Sequence, residues 1–339
     1  MREQLLGKTP VELKDIALKG GLPAFTGKQI AQWMYGRKVR SIDEMTNISK
    51  AGRERLKEEY SLGVTLPSTC QVSSDGTKKY LFPVGEGNAV EAVMIPDEDR
   101  KTLCVSSQAG CRMGCKFCMT GRQGFHGNLT VADILSQFIA IDEAAELTNA
   151  VFMGMGEPLD NFGNVMRAIE VLTSDWGFGW SPKRVTLSTI GVLPNLRKYL
   201  ESTRCHLAVS LHNPFPDERA EMMPVQKAWP VQEVIEMIRE YDFTGQRRVS
   251  FEYTMFAGLN DDKRHADALI RLLRGLECRV NLIRFHKIPD APFETTPQII
   301  MERFRDRLSN HGITCTIRAS RGEDILAACG MLAGEHSRK

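Results

Sequence analysis

Three cysteines fall within eight residues, in Gly110-Cys-Arg-Met-Gly-Cys-Lys-Phe-Cys-Met-Thr-Gly121. The C-x₃-C-x₂-C spacing puts Cys111, Cys115 and Cys118 on one short, glycine-containing loop. Thiolates are soft ligands that suit iron–sulfur clusters or zinc. A closed zinc site takes four ligands, usually as two C-x₂₋₄-C pairs, and no obvious second pair accompanies this one. Two readings therefore stand: a four-iron cluster on three thiolates with one iron open to a substrate, or zinc completed by a distant Cys or His. Nine cysteines in all is an odd count, which disfavours a disulfide framework. Cys70, Cys205, Cys278 and Cys315 are scattered and read as buried thiols.

Other segments carry residues that could act beside such a loop. In Gly154-Met-Gly156-Glu157 the glycines let backbone approach a ligand, and the carboxylate can hold an ammonium group; in isolation the segment is a simple turn. Ser188, and Ser210-Leu211-His212, close two candidate strands. On its own, His212 reads as a hydrogen-bonded structural imidazole. Cys329 stands between alanines and a glycine, with Gly322, Gly330 and Gly334 nearby. Small, flexible surroundings suit a thiol that must move and react, although a free Cys is often simply a small buried side chain.

These residues need a scaffold. From about residue 102, strands and helices alternate: strands over 102–106, 150–153, 184–188, 206–211, 249–255, 279–283 and 314–317, and helices over 131–146, 164–172, 231–241, 262–273 and 298–310. Repeated βα units imply a parallel sheet with right-handed crossovers. About six units suit an α/β fold, a partial (β/α)6 or full β/α barrel with chemistry at the C-terminal strand ends; an open doubly wound sheet is the other possibility. The first 60 residues read as short helices, one opening at Pro10 behind Thr9 with Glu12 three residues on. Residues 80–83 and 89–95 read as strands. The division expected is 1–65 (helical accessory domain), 66–96 (β-rich connection), 97–334 (barrel and Cys329 loop) and 335–339 (a frayed tail).

The 339 residues carry 44 Lys and Arg against 42 Asp and Glu, too balanced to mark a nucleic-acid binder outright. The charge is uneven, however: no acid lies between Asp15 and Asp43, where Lys19, Lys28, Arg37, Lys38 and Arg40 cluster. That stretch is either a solvated face or a phosphate-contacting surface. No apolar run approaches the ~20 residues of a membrane span, and the N-terminal residues lack the apolar core of a secretory signal. A cytoplasmic protein is expected.

The C-x₃-C-x₂-C loop with an aromatic before its last cysteine resembles the radical S-adenosylmethionine (SAM) signature. Thr102-Leu-Cys104-Val-Ser-Ser-Gln before it, Gly154-Met-Gly-Glu157-Pro-Leu after it and Ala327-Ala-Cys329-Gly-Met-Leu-Ala-Gly334 near the end narrow the resemblance to the RlmN/Cfr family of RNA adenine methyltransferases, over nearly the whole chain. The resemblance implies one [4Fe–4S] cluster per chain on Cys111, Cys115 and Cys118. It implies SAM contacts at Gly156, Glu157, Ser188, Ser210, Leu211, His212 and His286, the last where the family more usually has Asn. Phe117 would pack beside the adenine or serve as an ordinary core aromatic.

The same resemblance gives Cys329 the role of methyl carrier. One SAM would methylate it, and a second would supply the radical that activates that methyl. Adenine C2 is electron-poor and no nucleophile, so polar transfer from SAM would fail, whereas a carbon radical on Cys329 can add to the ring. Cys104 would then release the product by forming a disulfide with Cys329, and Glu91 matches the family's proton acceptor, a role Cys104 could also fill. The implied product is 2-methyladenosine in 23S ribosomal RNA (adenosine 2503 in the usual nucleotide numbering) and at adenosine 37 of certain transfer RNAs. An electron donor such as flavodoxin, no membrane and a monomer complete the expectation. The basic N-terminal segment would hold RNA backbone, with Arg247 and Arg248 adding to that surface or merely solvated. Two alternatives remain: a Cfr-type C8 methyltransferase conferring antibiotic resistance, against which Arg321-Gly-Glu-Asp looks more like the C2 branch, and a non-catalytic zinc-bound RNA module.

Overall fold

The computed structural model describes residues 2–243, 245 and 247–333. Gly334 and the expected tail 335–339 lie outside the described residues. One sheet of ten strands organises the chain: β1 (Thr69–Val72), β2 (Lys78–Val84), β3 (Asn88–Asp97), β4 (Arg100–Cys104), β5 (Asn149–Phe152), β6 (Val185–Thr189), β7 (His206–Ser210), β8 (Val249–Met255), β9 (Arg279–Arg284) and β10 (Thr314–Ile317). They lie side by side in chain order. β1 to β4 are antiparallel and β4 to β10 are parallel. The expected connecting segment is thus hydrogen-bonded onto the barrel sheet through β3 and β4.

The parallel strands are joined by crossovers containing helices α4 (Val131–Ile139), α5 (Phe162–Thr173), α6 (Leu193–Ser202), α7 (Val231–Arg239), α8 (Lys263–Leu272) and α9 (Gln298–Asn310). Preceding them are α1 (Pro10–Lys19), α2 (Thr26–Ala31) and α3 (Lys50–Glu59). The sheet curls, so that Arg321, beyond β10, reaches Asp97 at the end of β3 at 3.5 Å. No hydrogen-bonded ladder joins β10 to β1 among the described residues, which leaves a partial barrel.

Helices cover one face of the central strands, whose alternate residues are apolar and packed, while polar side chains between them turn to the interior. In β8, Val249, Phe251, Tyr253 and Met255 are all buried. Each such side chain contributes on the order of 1.5–3 kcal/mol by leaving water. Helix starts follow local chemistry: Thr9 and Thr130 form capping boxes with Glu12 and Asp133, and the Asp262 side chain accepts from the His265 N–H. α4 ends at Ile139, short of the expected 146. The Ile141 and Ala144 carbonyls beyond it accept from Arg40 and Lys38 instead. Two of the basic N-terminal side chains therefore dock the helical domain on the barrel.

Candidate active site

The C-terminal ends of the parallel strands surround a cavity of about 160 Å³. Cys111, Cys115 and Cys118 form one wall, and Gly154, Gly156, Glu157, Ser188, Ser210, His212, Glu252 and Cys329 line the rest. The fold explains this convergence. Side chains alternate along a strand, so the buried Leu187 and Val209 leave their neighbours Ser188 and Ser210 facing the cavity. Gly156 has φ +95°, and a Cβ there would stand 2.5 Å from that of Gln108, so only glycine keeps this wall close.

Glu157 is buried, and its two oxygens accept from the Leu159 and Ile190 N–H groups at 3.0 and 2.9 Å. Burial dominates and pushes its pKa up to about 7, against those hydrogen bonds and one from Thr189. A carboxylate has lone pairs to spare for a donor in the cavity. If that donor belongs to SAM, its binding favours the ionised form. SAM affinity then rises with pH, by roughly tenfold between about pH 6 and about pH 8. Anaerobic calorimetry should show this rise, and Glu157→Gln should flatten it; equal affinity at both pH values in the parent protein would contradict the assignment.

His212 occupies left-handed backbone at φ 55°. Its Nδ1 accepts from the Thr254 N–H at 2.9 Å. Burial first, and then the Arg219 charge, lower its pKa to about 3. A neutral ring whose Nδ1 is an acceptor carries its proton on Nε2, so His212 is a donor. Phe117 packs edge-on against it at 4.9 Å and also contacts Phe256 and Phe293. Leu211 is fully buried and contributes its carbonyl to Arg219.

Cys329 lies in the wall of a second cavity as well, larger at about 520 Å³. That cavity is basic: Arg100, Lys183, Arg184, Arg248, Arg284, Arg318 and Arg321 line it, with Asp97 the one acid. Solvent reaches Cys329, although dense protein surrounds it. Burial raises its thiol pKa, opposed by the Arg318 guanidinium and reinforced by the charges of Glu252 and Cys118. Cys104, at the end of β4, is buried; desolvation and the nearby Cys329 charge push its thiol up to about 12. The two cysteines are thus electrostatic neighbours, both reduced.

Four expected site residues are absent from the lining of the cysteine cavity: the buried Cys104 and Leu211, and His286 and Glu91. His286 lines the basic cavity, where Nε2 meets Ser320 Oγ at 2.8 Å and Nδ1 meets Glu323 at 3.2 Å. Glu91 is outside both linings; it pairs with Lys79 at 3.1 Å and accepts from the Ala333 N–H at 2.8 Å. It thereby ties down the segment after Cys329. Asp75 and Asp324 do the same before it, through Gly322 N and Ser73 Oγ.

Sequence reasoning misplaced Arg247 and two cysteines and missed Arg219. Arg247, considered for an RNA surface, is buried and donates to the Cys205 and Leu200 carbonyls; Arg248 is the member of the pair that faces the basic cavity. Arg219 was not singled out, because in Pro216-Asp-Glu-Arg it reads as an exposed charged turn. Cys70 is exposed on outer strand β1, and Cys278 is half-buried; only Cys205 and Cys315 of that group are buried as expected.

The three-thiol wall fits a cluster. A cubane takes one thiolate per iron, and Cys111, Cys115 and Cys118 present three on one wall of the cavity. Fold and site together define a radical SAM protein, and the family model described as the radical SAM superfamily matches residues 105–269. A second model, the ribosomal RNA large subunit methyltransferase N-terminal domain, matches residues 3–62. A Porphyromonas gingivalis protein named as a probable dual-specificity RNA methyltransferase RlmN is 60% identical, over 97% of this chain and 96% of its own. The dual-specificity RNA methyltransferase RlmN of Syntrophus aciditrophicus is 41% identical, over 96% and 94%. The crystal structure of a radical SAM methyltransferase from Sphaerobacter thermophilus superposes with a TM-score of 0.94 at 38% identity, covering 98% of this chain and all of that one. The chain belongs to the RlmN family of radical SAM RNA methyltransferases.

Proposed function

We propose that this protein methylates adenine C2 in 23S ribosomal RNA and transfer RNA, using Cys329 as the methyl carrier. The observation that carries the reading is the position of Cys329, in the wall of both the cysteine cavity and the basic cavity. A thiol there can meet SAM on one side and an RNA base on the other. The dual-specificity name of the relatives favours this reading over the C8 alternative.

A [4Fe–4S] cluster on Cys111, Cys115 and Cys118 would supply one-electron reduction of SAM. The chain's own residues do the remainder. Glu157 accepts from the amino group of SAM and His212 donates through Nε2. The glycines at 154 and 156 let the ligand lie against backbone. Arg318 stabilises the Cys329 thiolate that accepts the methyl group. The Cys104 thiolate attacks the Cys329 sulfur, so that their disulfide forms as the sulfur–carbon bond to the base breaks and its electron pair goes to the methyl carbon, and Glu91 or Cys104 takes the ring proton. The arginines and Lys183 of the basic cavity hold RNA phosphates, so the target base must be splayed out of single-stranded or loop RNA. Two SAM molecules are consumed per turnover, and a flavodoxin-like donor supplies the electron to a monomeric cytoplasmic enzyme. No helix among the described residues is long and apolar enough to cross a membrane.

Nucleoside mass spectrometry of ribosomal and transfer RNA, treated with cluster-loaded protein, SAM and a reductant, tests this. 2-Methyladenosine is the expected product. 8-Methyladenosine would move the protein to the C8 branch, and no methylated adenosine would overturn the reading.

A further inference from the structure

Arg219 is fully buried. Its Nε donates to the Leu211 carbonyl and its Nη2 to the Ser210 carbonyl, each at 2.9 Å, and Nη1 donates to Gln226 Oε1. All three acceptors are neutral, and no carboxylate pairs with this guanidinium among the described residues. The neighbouring Glu218 is engaged elsewhere, with Arg264, His265 and Asn213. A buried charge without a counter-charge is costly and is ordinarily paired or bound to a metal centre. Hydrogen bonds to carbonyls orient the guanidinium but do not neutralise it.

The missing counter-charge has a natural location. The short helix Pro216–Met222 that carries Arg219 packs against the cysteine loop. The Lys116 N–H donates to the Met222 carbonyl at 3.0 Å, and Gly114 faces Pro224. Arg219 also holds the carbonyl of Ser210, a residue that lines the same cavity as Cys115. A guanidinium keeps its proton in a protein, so Arg219 carries its charge at neutral pH. Three thiolates around a four-iron core leave a net negative charge, which one-electron reduction increases. A fixed cation close to that centre stabilises the reduced state over the oxidised one.

We propose that Arg219 is the resident counter-charge of the cluster, a positioning residue that raises its reduction potential while fixing the Ser210 and Leu211 carbonyls at the cavity rim. The inference rests on the cluster reading above and concerns a residue to which that reading gives no role. It divides charge from scaffolding in a way that can be measured without RNA.

The experiment is an EPR-monitored redox titration of anaerobically reconstituted protein, with iron content and melting temperature recorded alongside. Arg219→Gln removes the charge, and the reduction equilibrium should fall by at least tenfold, ~59 mV for one electron. Arg219→Lys keeps the charge and should stay near the parent potential even if it melts earlier. Should Arg219→Gln fail to fold, Gln226→Glu places a carboxylate on the guanidinium's own partner and should shift the potential in the same downward direction. Folded, cluster-loaded variants with the parent's potential would overturn the proposal and leave Arg219 purely structural. A parent protein that takes up no cluster would instead overturn the cluster reading itself.

Discussion

Replacing Cys329 by alanine is expected to reduce RNA methylation to background, a loss of about 1,000-fold or more, the scale on which removal of a covalent-catalysis group acts. The cluster should persist, because Cys111, Cys115 and Cys118 lie on a separate loop and the Cys329 side chain is not part of the packed core. Stability should change by no more than about 0.5 kcal/mol, as for other exposed substitutions. Incorporation of labelled methyl into RNA, measured beside visible absorption of the cluster, separates the two effects. An alanine variant that still methylated RNA would remove Cys329 from the chemistry.

Cys104→Ala is expected to arrest the reaction after RNA is joined to the protein. Cys104 is the electrostatic neighbour of Cys329, and burial holds it as a neutral thiol, raised to about 12, so it reacts only when a disulfide-forming displacement is set up beside it. Without it, the bond between Cys329 and the base has no thiolate to break it. A nuclease-sensitive, high-mass band on a denaturing gel should then appear in the variant and be absent from the Cys104→Ala, Cys329→Ala double variant. Product release at the parent rate with no adduct would take the resolving role away from Cys104.

Much of this arrangement is legible in the sequence where local chemistry dictates it. The strands over 249–255 and 314–317 and the helix over 298–310 match the observed elements, because regular alternation in the strands and an amphipathic run in the helix are local signals. The three-cysteine loop and the glycines at 154 and 156 are equally plain, since ligand spacing and backbone approach are written in residue type. Tertiary choices are not. The end of α4 depends on Arg40 and Lys38 arriving from the N-terminal domain. Thr69–Val72 alternates over only four residues, all of them exposed, and is held as a strand by its pairing with β2. Arg247 and Arg248 are adjacent and identical, yet one props up a core carbonyl and the other faces the basic cavity. Arg219 hides for the same reason: burial of a charged turn is decided by what packs on it. The basic cavity itself is assembled from strand ends far apart in sequence and has no local motif.

In the proposed reaction Cys329 carries the methyl group between two cavities. Peptide mass spectrometry of cluster-loaded protein, incubated with methyl-deuterated SAM and then with RNA, tests it directly. A labelled methyl is expected on the Cys329 peptide before RNA is added. That label should leave Cys329 and appear in RNA adenosine afterwards. RNA that gains methyl while Cys329 never carries it would contradict the account.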